Sequence, residues 1–186
     1  MIINASFSIL ILSIFTLFLI ILLVAKWNWS FREILKFIVT LCVYIGFLTI
    51  ILFPMPVYPE DAGFSSINFI PLKTIIGYLI SAIEDGMIGT AIYQVLGNIL
   101  LFYILMIVTC WYININTFKK FFIWLIGYAV LTEILQAFVS LILGFLYRSI
   151  DIDDIILYCI GGTLSYLTMK VLTKKYRHTN NEEGTT

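Results

Sequence analysis

Charge is what this chain has least of. Its 186 residues carry 11 Lys plus Arg and 11 Asp plus Glu, 12% of the sequence, against 61% hydrophobic residues. So few charged side chains cannot cover the surface of a soluble domain this apolar. Histidine occurs once, as His178 in the polar C-terminal stretch "KKYRHTNNEEGTT", which argues against histidine-based catalysis or metal ligation. The three cysteines, Cys42, Cys110 and Cys159, all fall in apolar stretches and have no paired spacing. That excludes a zinc or redox motif and suggests buried structural thiols. Internal repeats, glycine-rich phosphate loops and nucleotide-binding fingerprints are missing, so neither a cofactor, a metal nor a nucleic-acid partner is expected.

What is present is a series of long apolar windows. They run over Met1–Ala25, Phe37–Val57, Gly86–Ile113, Phe121–Tyr147 and Ile155–Met169, the last extending through Leu172. Each approaches the ~20 residues that cross a hydrocarbon core. With a mean hydropathy of +1.04, the expectation is an all-α polytopic membrane protein with five transmembrane helices. Backbone groups in lipid must be satisfied internally, and continuous apolar runs exclude an alternating barrel. The first window has no basic leader and no small-residue cleavage site, and is longer than the usual ~7–15 residue apolar region of a signal peptide. It reads as a retained helix. Leu72–Ile83 is apolar but short, and reads as an interfacial or re-entrant helix. Residues 1–173 form one transmembrane domain, and 174–186 a polar tail whose composition suggests disorder.

Basic residues set the orientation. Lys26, Arg32, Lys36, Lys119, Lys120, Lys170, Lys174, Lys175 and Arg177 lie on one side; only Lys73 and Arg148 lie on the other. The positive-inside rule then puts the C-terminus in the cytoplasm and, for five spans, the N-terminus outside. Trp27 and Trp29 beside Lys26 fit an aromatic belt at that cytoplasmic interface.

Polar residues inside the spans are costly and mark sites of interest. Between Phe121 and Tyr147 the only formal charge is Glu133, in "LTEILQ". At 100° per residue Glu133, Gln136, Ala137, Ser140 and Gly144 share one stripe, extended by Ala129, Tyr147 and Arg148; such a face turns towards protein. The third span carries Ala91, Gln94 and Asn98. Asn98 and Glu133 both lie about 18–21 Å from the outer ends of their spans and could meet near mid-membrane. In the fifth, Asp151, Asp154, Tyr158, Gly161 and Ser165 share a face, with Asp153 pointing elsewhere and Arg148 near enough to pair with Asp151 or Asp154. Glu133 is thus the floor of a crevice and Arg148, Asp151 and Asp154 its mouth, about 22 Å away along a straight helix. A plainer account is also open, in which Glu133 fixes packing through Gln94 or Asn98 and the aspartates only cap the fifth helix.

The set "NFIPLKTI", "GNILLF", "TEILQ" and "RSIDIDDIIL…GG" resembles the VanZ-like family of bacterial membrane proteins, over roughly 68–167. The resemblance highlights Asn68, Pro71, Gly97, Asn98, Phe102, Glu133, Gln136, Arg148, Asp151, Asp154 and Gly161. The chain departs from the family pattern at Tyr158, usually Asn, and after "GNILLF", where "YILMIV" replaces a Pro/Gly motif. The resemblance implies a multi-pass protein of the bacterial cell membrane, linked through the founding member to resistance against the lipid-tailed glycopeptide teicoplanin. The expected ligand-binding residues are Asn68, Gln94, Asn98, Glu133, Gln136, Arg148, Asp151 and Asp154, and the expected partners are the bilayer and an amphiphilic cell-envelope lipid or lipoglycopeptide. The alternative is an intramembrane enzyme with Glu133 as general acid or base. A transporter is less well served by one deep acid.

Overall fold

The computed structural model describes residues 2–3, 30–53, 55–56, 66–115 and 117–183. Among the described residues four helices are long and apolar enough to cross a membrane: α1 (Phe31–Leu52), α3 (Ile88–Ile113), α4 (Phe118–Leu143) and α5 (Ile152–Glu183), the last apolar through Leu172. The shorter α2 (Lys73–Glu84) precedes α3. The first expected span, Met1–Ala25, lies almost entirely outside the described residues. Two-residue strands complete the described chain: β1 (Ile2–Ile3) pairs antiparallel with β2 (Met55–Pro56), and β3 (Ile67–Asn68) pairs parallel with β4 (Ile150–Asp151).

Local chemistry explains the helix limits. Ser30 and Glu33 form a capping box at the start of α1: the Ser30 N–H donates to Glu33 Oε2 at 2.8 Å, and the Glu33 N–H to Ser30 Oγ at 3.4 Å. Helix α1 thus starts ahead of the expected Phe37 and takes Arg32 and Lys36 into its first turns, with Lys36 over the Trp111 and Tyr112 rings at 5.3 and 5.7 Å. Helix α4 stops short of the expected Tyr147 because Gly144 takes φ 77°, a left-handed cap that suits glycine. Helix α5 starts at Ile152, ahead of Ile155, and continues to Glu183, into the tail whose composition had suggested disorder.

Large apolar side chains such as Ile123, Leu131, Ile134, Phe138 and Leu141 on α4 remain exposed, as a lipid-facing surface requires. Inside, Phe47 and Ile51 from α1, Phe102, Leu105 and Met106 from α3, Phe121 and Leu125 from α4, and Tyr158 from α5 form one cluster. Tyr158, the departure from the family pattern, stacks on Phe102 with centroids 4.0 Å apart. The Tyr44 hydroxyl meets those of Thr109, at 2.8 Å, and Tyr128, so this deep polar patch satisfies itself. Of the cysteines expected to be buried, Cys110 is; Cys159 is half-buried and Cys42 is exposed on the outer face of α1.

Helix α2 covers the segment 72–83, for which the sequence left an interfacial and a re-entrant course open. It has no fully buried residue and packs against α3, to which Asp85, Gly86 and Met87 connect it. Glu84 back to Lys73 is a rise of about 16 Å, and Ile88 to Asn98 on α3 about 15 Å. The start of α2 is therefore level with Asn98, well inside the bundle. This course, from the level of Asn98 back to the turn before α3, favours the re-entrant alternative.

Candidate functional site

Two stretches of non-helical backbone, 66–72 and 144–151, reach the level of Asn98 and Glu133. Irregular backbone at that depth is tolerated only when other protein groups satisfy it, and here the two stretches satisfy each other. Ile67 pairs with Ile150 and Asn68 with Asp151; the Ile150 N–H donates to the Ser66 carbonyl at 3.1 Å, and the Ser66 N–H to Ser149 Oγ at 3.1 Å.

Side chains then lock the crossing. Asn68, buried, donates through Nδ2 to Asp151 Oδ1 at 2.9 Å and to Thr74 Oγ1 at 3.1 Å, while its Oδ1 accepts the Ile70 N–H at 3.0 Å. Asp151 also accepts the Asp153 N–H at 2.9 Å and so caps α5. Asp153 does what the sequence did not reveal. Only 1% exposed, it accepts the Leu72 N–H at 2.5 Å, the Thr74 N–H at 2.7 Å and the Ile75 N–H at 3.2 Å. The residue before α2 is Leu72, held at φ 67° with no side chain able to cap, so an acid from α5 does the capping.

The remaining acids point the other way. Asn98 donates through Nδ2 to Asp154 Oδ1 at 2.6 Å, and the Asp151 N–H donates to Glu133 Oε2 at 3.3 Å. Asn98 thus meets Asp154 and not Glu133, contrary to the depth argument. The separation of about 22 Å between floor and mouth is also corrected. Helix α4 ends at Gly144 and the chain folds back about 16 Å along it, so Asp151 returns to Glu133.

Of the other expected residues, Gln136 is 2% exposed and donates to the Ile51 carbonyl at 3.4 Å. Gln94 is half-buried and makes no side-chain hydrogen bond to the described residues. Arg148 is half-buried too and forms no ion pair within 4.0 Å among the described residues, so the expected pairing with Asp151 or Asp154 is absent; its charge is still near enough to act on Glu133 and Asp154. Four polar atoms on the α4 stripe and its extension are sealed without any hydrogen bond: Glu133 Oε1, Gln136 Oε1, Ser140 Oγ and Tyr147 Oη. Each such orphan costs about 1–3 kcal/mol. The sequence had placed Ser140 and Tyr147 on the stripe but not in the site.

The aspartates consequently divide by chemistry. Asp153 uses both carboxylate oxygens on backbone N–H groups and Asp151 takes two donors on Oδ1, and these two acids hold the fold together. Asp154 is half-buried and shares one oxygen with Asn98, and Glu133 keeps one oxygen free. A carboxylate held by one oxygen with the other open can accept a ligand donor or exchange a proton.

A bundle of apolar helices enclosing a polar crossing of two non-helical segments defines a multi-pass helical membrane protein. The sequence profile of the VanZ/LLP1 family matches residues 37–173, and the chain belongs to that family. No curated protein and no solved structure matches it.

Proposed function

We propose that this VanZ-like protein binds the head group of an amphiphilic cell-envelope molecule, a lipid or a lipoglycopeptide, and thereby contributes to teicoplanin-type tolerance. One observation carries the reading: Glu133, 7% exposed and deep in the bundle, has an oxygen with no partner, beside other orphaned oxygens on the same face. Polar groups in such positions tend to be functional in membrane proteins. Mass spectrometry of lipids and glycopeptides retained by detergent-purified protein tests it. Recovery of one amphiphile above its membrane abundance supports the reading, and its loss in Glu133→Gln ties it to this site. We expect Glu133→Gln to stay folded and inserted, because the amide keeps the size and can still accept from the Asp151 N–H, and to lose teicoplanin tolerance. Normal tolerance in a well-expressed variant would leave Glu133 as a packing residue.

The free Glu133 oxygen also favours a second reading, an enzyme in which this carboxyl is a general acid or base. A chemically altered product accumulating with time, in place of unchanged bound amphiphile, selects it.

The proposal includes five spans in a bacterial cell membrane, with Met1–Ala25 as the first, the N-terminus outside and the C-terminus cytoplasmic; the distribution of basic residues supports it. In a background lacking Cys42, Cys110 and Cys159, a cysteine at Glu60 or Glu84 should react with an impermeant thiol reagent on intact cells, and one at Lys119 should not. The reverse pattern would invert the protein and turn the site towards the cytoplasm.

A further inference from the structure

The orphaned oxygens specify what they lack. Gln136 Oε1 is an acceptor only, Glu133 Oε1, one helical turn away, is one whenever the carboxyl is ionised, and Ser140 Oγ follows one turn further along the same face. All three residues are more than nine-tenths buried, as is Tyr147, whose hydroxyl is the fourth orphan. Gln136 already spends its amide on the Ile51 carbonyl, so its oxygen cannot be exchanged for a donor by turning the side chain over. The charge is equally one-sided. Glu133, Asp151, Asp153 and Asp154 gather here against two cations, Arg148, which forms no ion pair within 4.0 Å among the described residues, and the exposed Lys73 in the turn that Asp153 caps.

Candidate head groups separate on these two counts. A phosphate or carboxylate would set acceptors against acceptors and add negative charge. A sugar hydroxyl brings donors without charge. A quaternary ammonium brings charge without an N–H. A primary ammonium brings a positive charge and three N–H donors on one atom. Resting on the reading of this constellation as a ligand site, we infer that it takes the primary ammonium group of an amphiphile, held by Glu133 Oε1 and Gln136 Oε1, with the Ser140 hydroxyl serving the adjoining part of the head group. The oxygens are sealed in this structure, so entry displaces the 144–150 segment. That segment leads into Asp151, whose N–H donates to the other Glu133 oxygen, Oε2, at 3.3 Å, a long bond that leaves Oε1 open to an incoming ammonium.

The test uses the purified full chain in neutral maltoside micelles, with dodecylammonium, dodecyltrimethylammonium, dodecyl phosphate or dodecanol added at equal mole fractions, and reads thermal unfolding. Dodecylammonium alone should raise Tm, in a saturable way, because only a ligand that prefers the folded protein does so. Glu133→Gln and Gln136→Leu should each weaken its apparent affinity about tenfold or more, the effect of removing one side of a buried charged contact. Equal stabilisation by the trimethyl compound, stabilisation by the phosphate or dodecanol alone, or wild-type affinity in both variants would overturn the inference. If either variant fails to fold, the comparison of the four probes on the wild-type protein still decides. An amphiphile that co-purifies while dodecylammonium does nothing sinks the ammonium assignment and leaves the ligand site standing. If nothing co-purifies and no probe stabilises, both fall.

Discussion

Asp153→Ala should be among the most damaging single substitutions in this protein, although Asp153 is expected to touch no ligand. Its carboxylate accepts three backbone N–H groups at the start of α2, from Leu72, Thr74 and Ile75, and is 1% exposed. Alanine leaves those donors with neither acceptor nor water, at a level of the bundle where water does not replace the loss. At about 1–3 kcal/mol for each stranded group, the loss is on the order of 3 kcal/mol or more, a large part of a stability of about 5–15 kcal/mol. The damage should be local first. Helix α2 buries no residue completely, so its cap is a principal tether and its release should make Lys73–Glu84 sensitive to protease. Asp153→Asn keeps one acceptor oxygen and should fall between alanine and wild type. Ile134→Val on the exposed face of α4 should change little. Thermal unfolding in detergent with limited proteolysis measures this, and an Asp153→Ala protein with wild-type Tm and an intact α2 would show that the cap contributes no stability.

Three acids at the head of an apolar run ordinarily cap the helix they begin, and one of them, Asp151, does. No spacing rule connects Asp153 to a helix start in the 70s, because that contact is created by the fold. The signal available was negative: α2 begins after "IPL" with no capping side chain of its own, and a helix start inside a membrane must find an acceptor somewhere. The same limit explains the misjudged geometry around Glu133. Hydropathy continues through Phe145, Leu146 and Tyr147, so the apolar window extends past Gly144; the positive φ that ends the helix is invisible to it. Once the chain turns there, Asp151 returns to Glu133, Asp154 goes to Asn98, and Arg148 is left without an ion-pair partner among the described residues. The polar stripe itself was legible. Glu133, Gln136 and Ser140 repeat at helical spacing in an otherwise apolar run, and all three are buried. Periodicity identifies the face, while partners across the bundle depend on where each helix stops.

Gly161 and Gly162 are neighbours in sequence and should respond very differently to the same added methyl group. A Cβ at Gly161 would overlap the backbone carbonyl oxygen of Ile99 on α3. A backbone carbonyl inside a helix cannot rotate aside, so the two helices must move apart along a close contact. A Cβ at Gly162 would meet the terminal methyl carbons of Leu125 on α4, which can shift by changing rotamer. Gly161→Ala should therefore cost about 3 kcal/mol and Gly162→Ala about 1 kcal/mol, the two ends of the usual overpacking range. The larger effect should also reach the site. Asp154 lies two turns before Gly161 on the same face of α5, and its 2.6 Å bond from Asn98 is made to the same helix that Gly161 touches. Separating α3 from α5 stretches that bond and loosens the hold on Asp154. Gly161→Ala should thus lose both Tm and the retained amphiphile, whereas Gly162→Ala should keep the amphiphile despite a small fall in Tm. Equal losses in the two variants would mean that α3 and α5 tolerate separation at Ile99 and that their close contact does not position the acids.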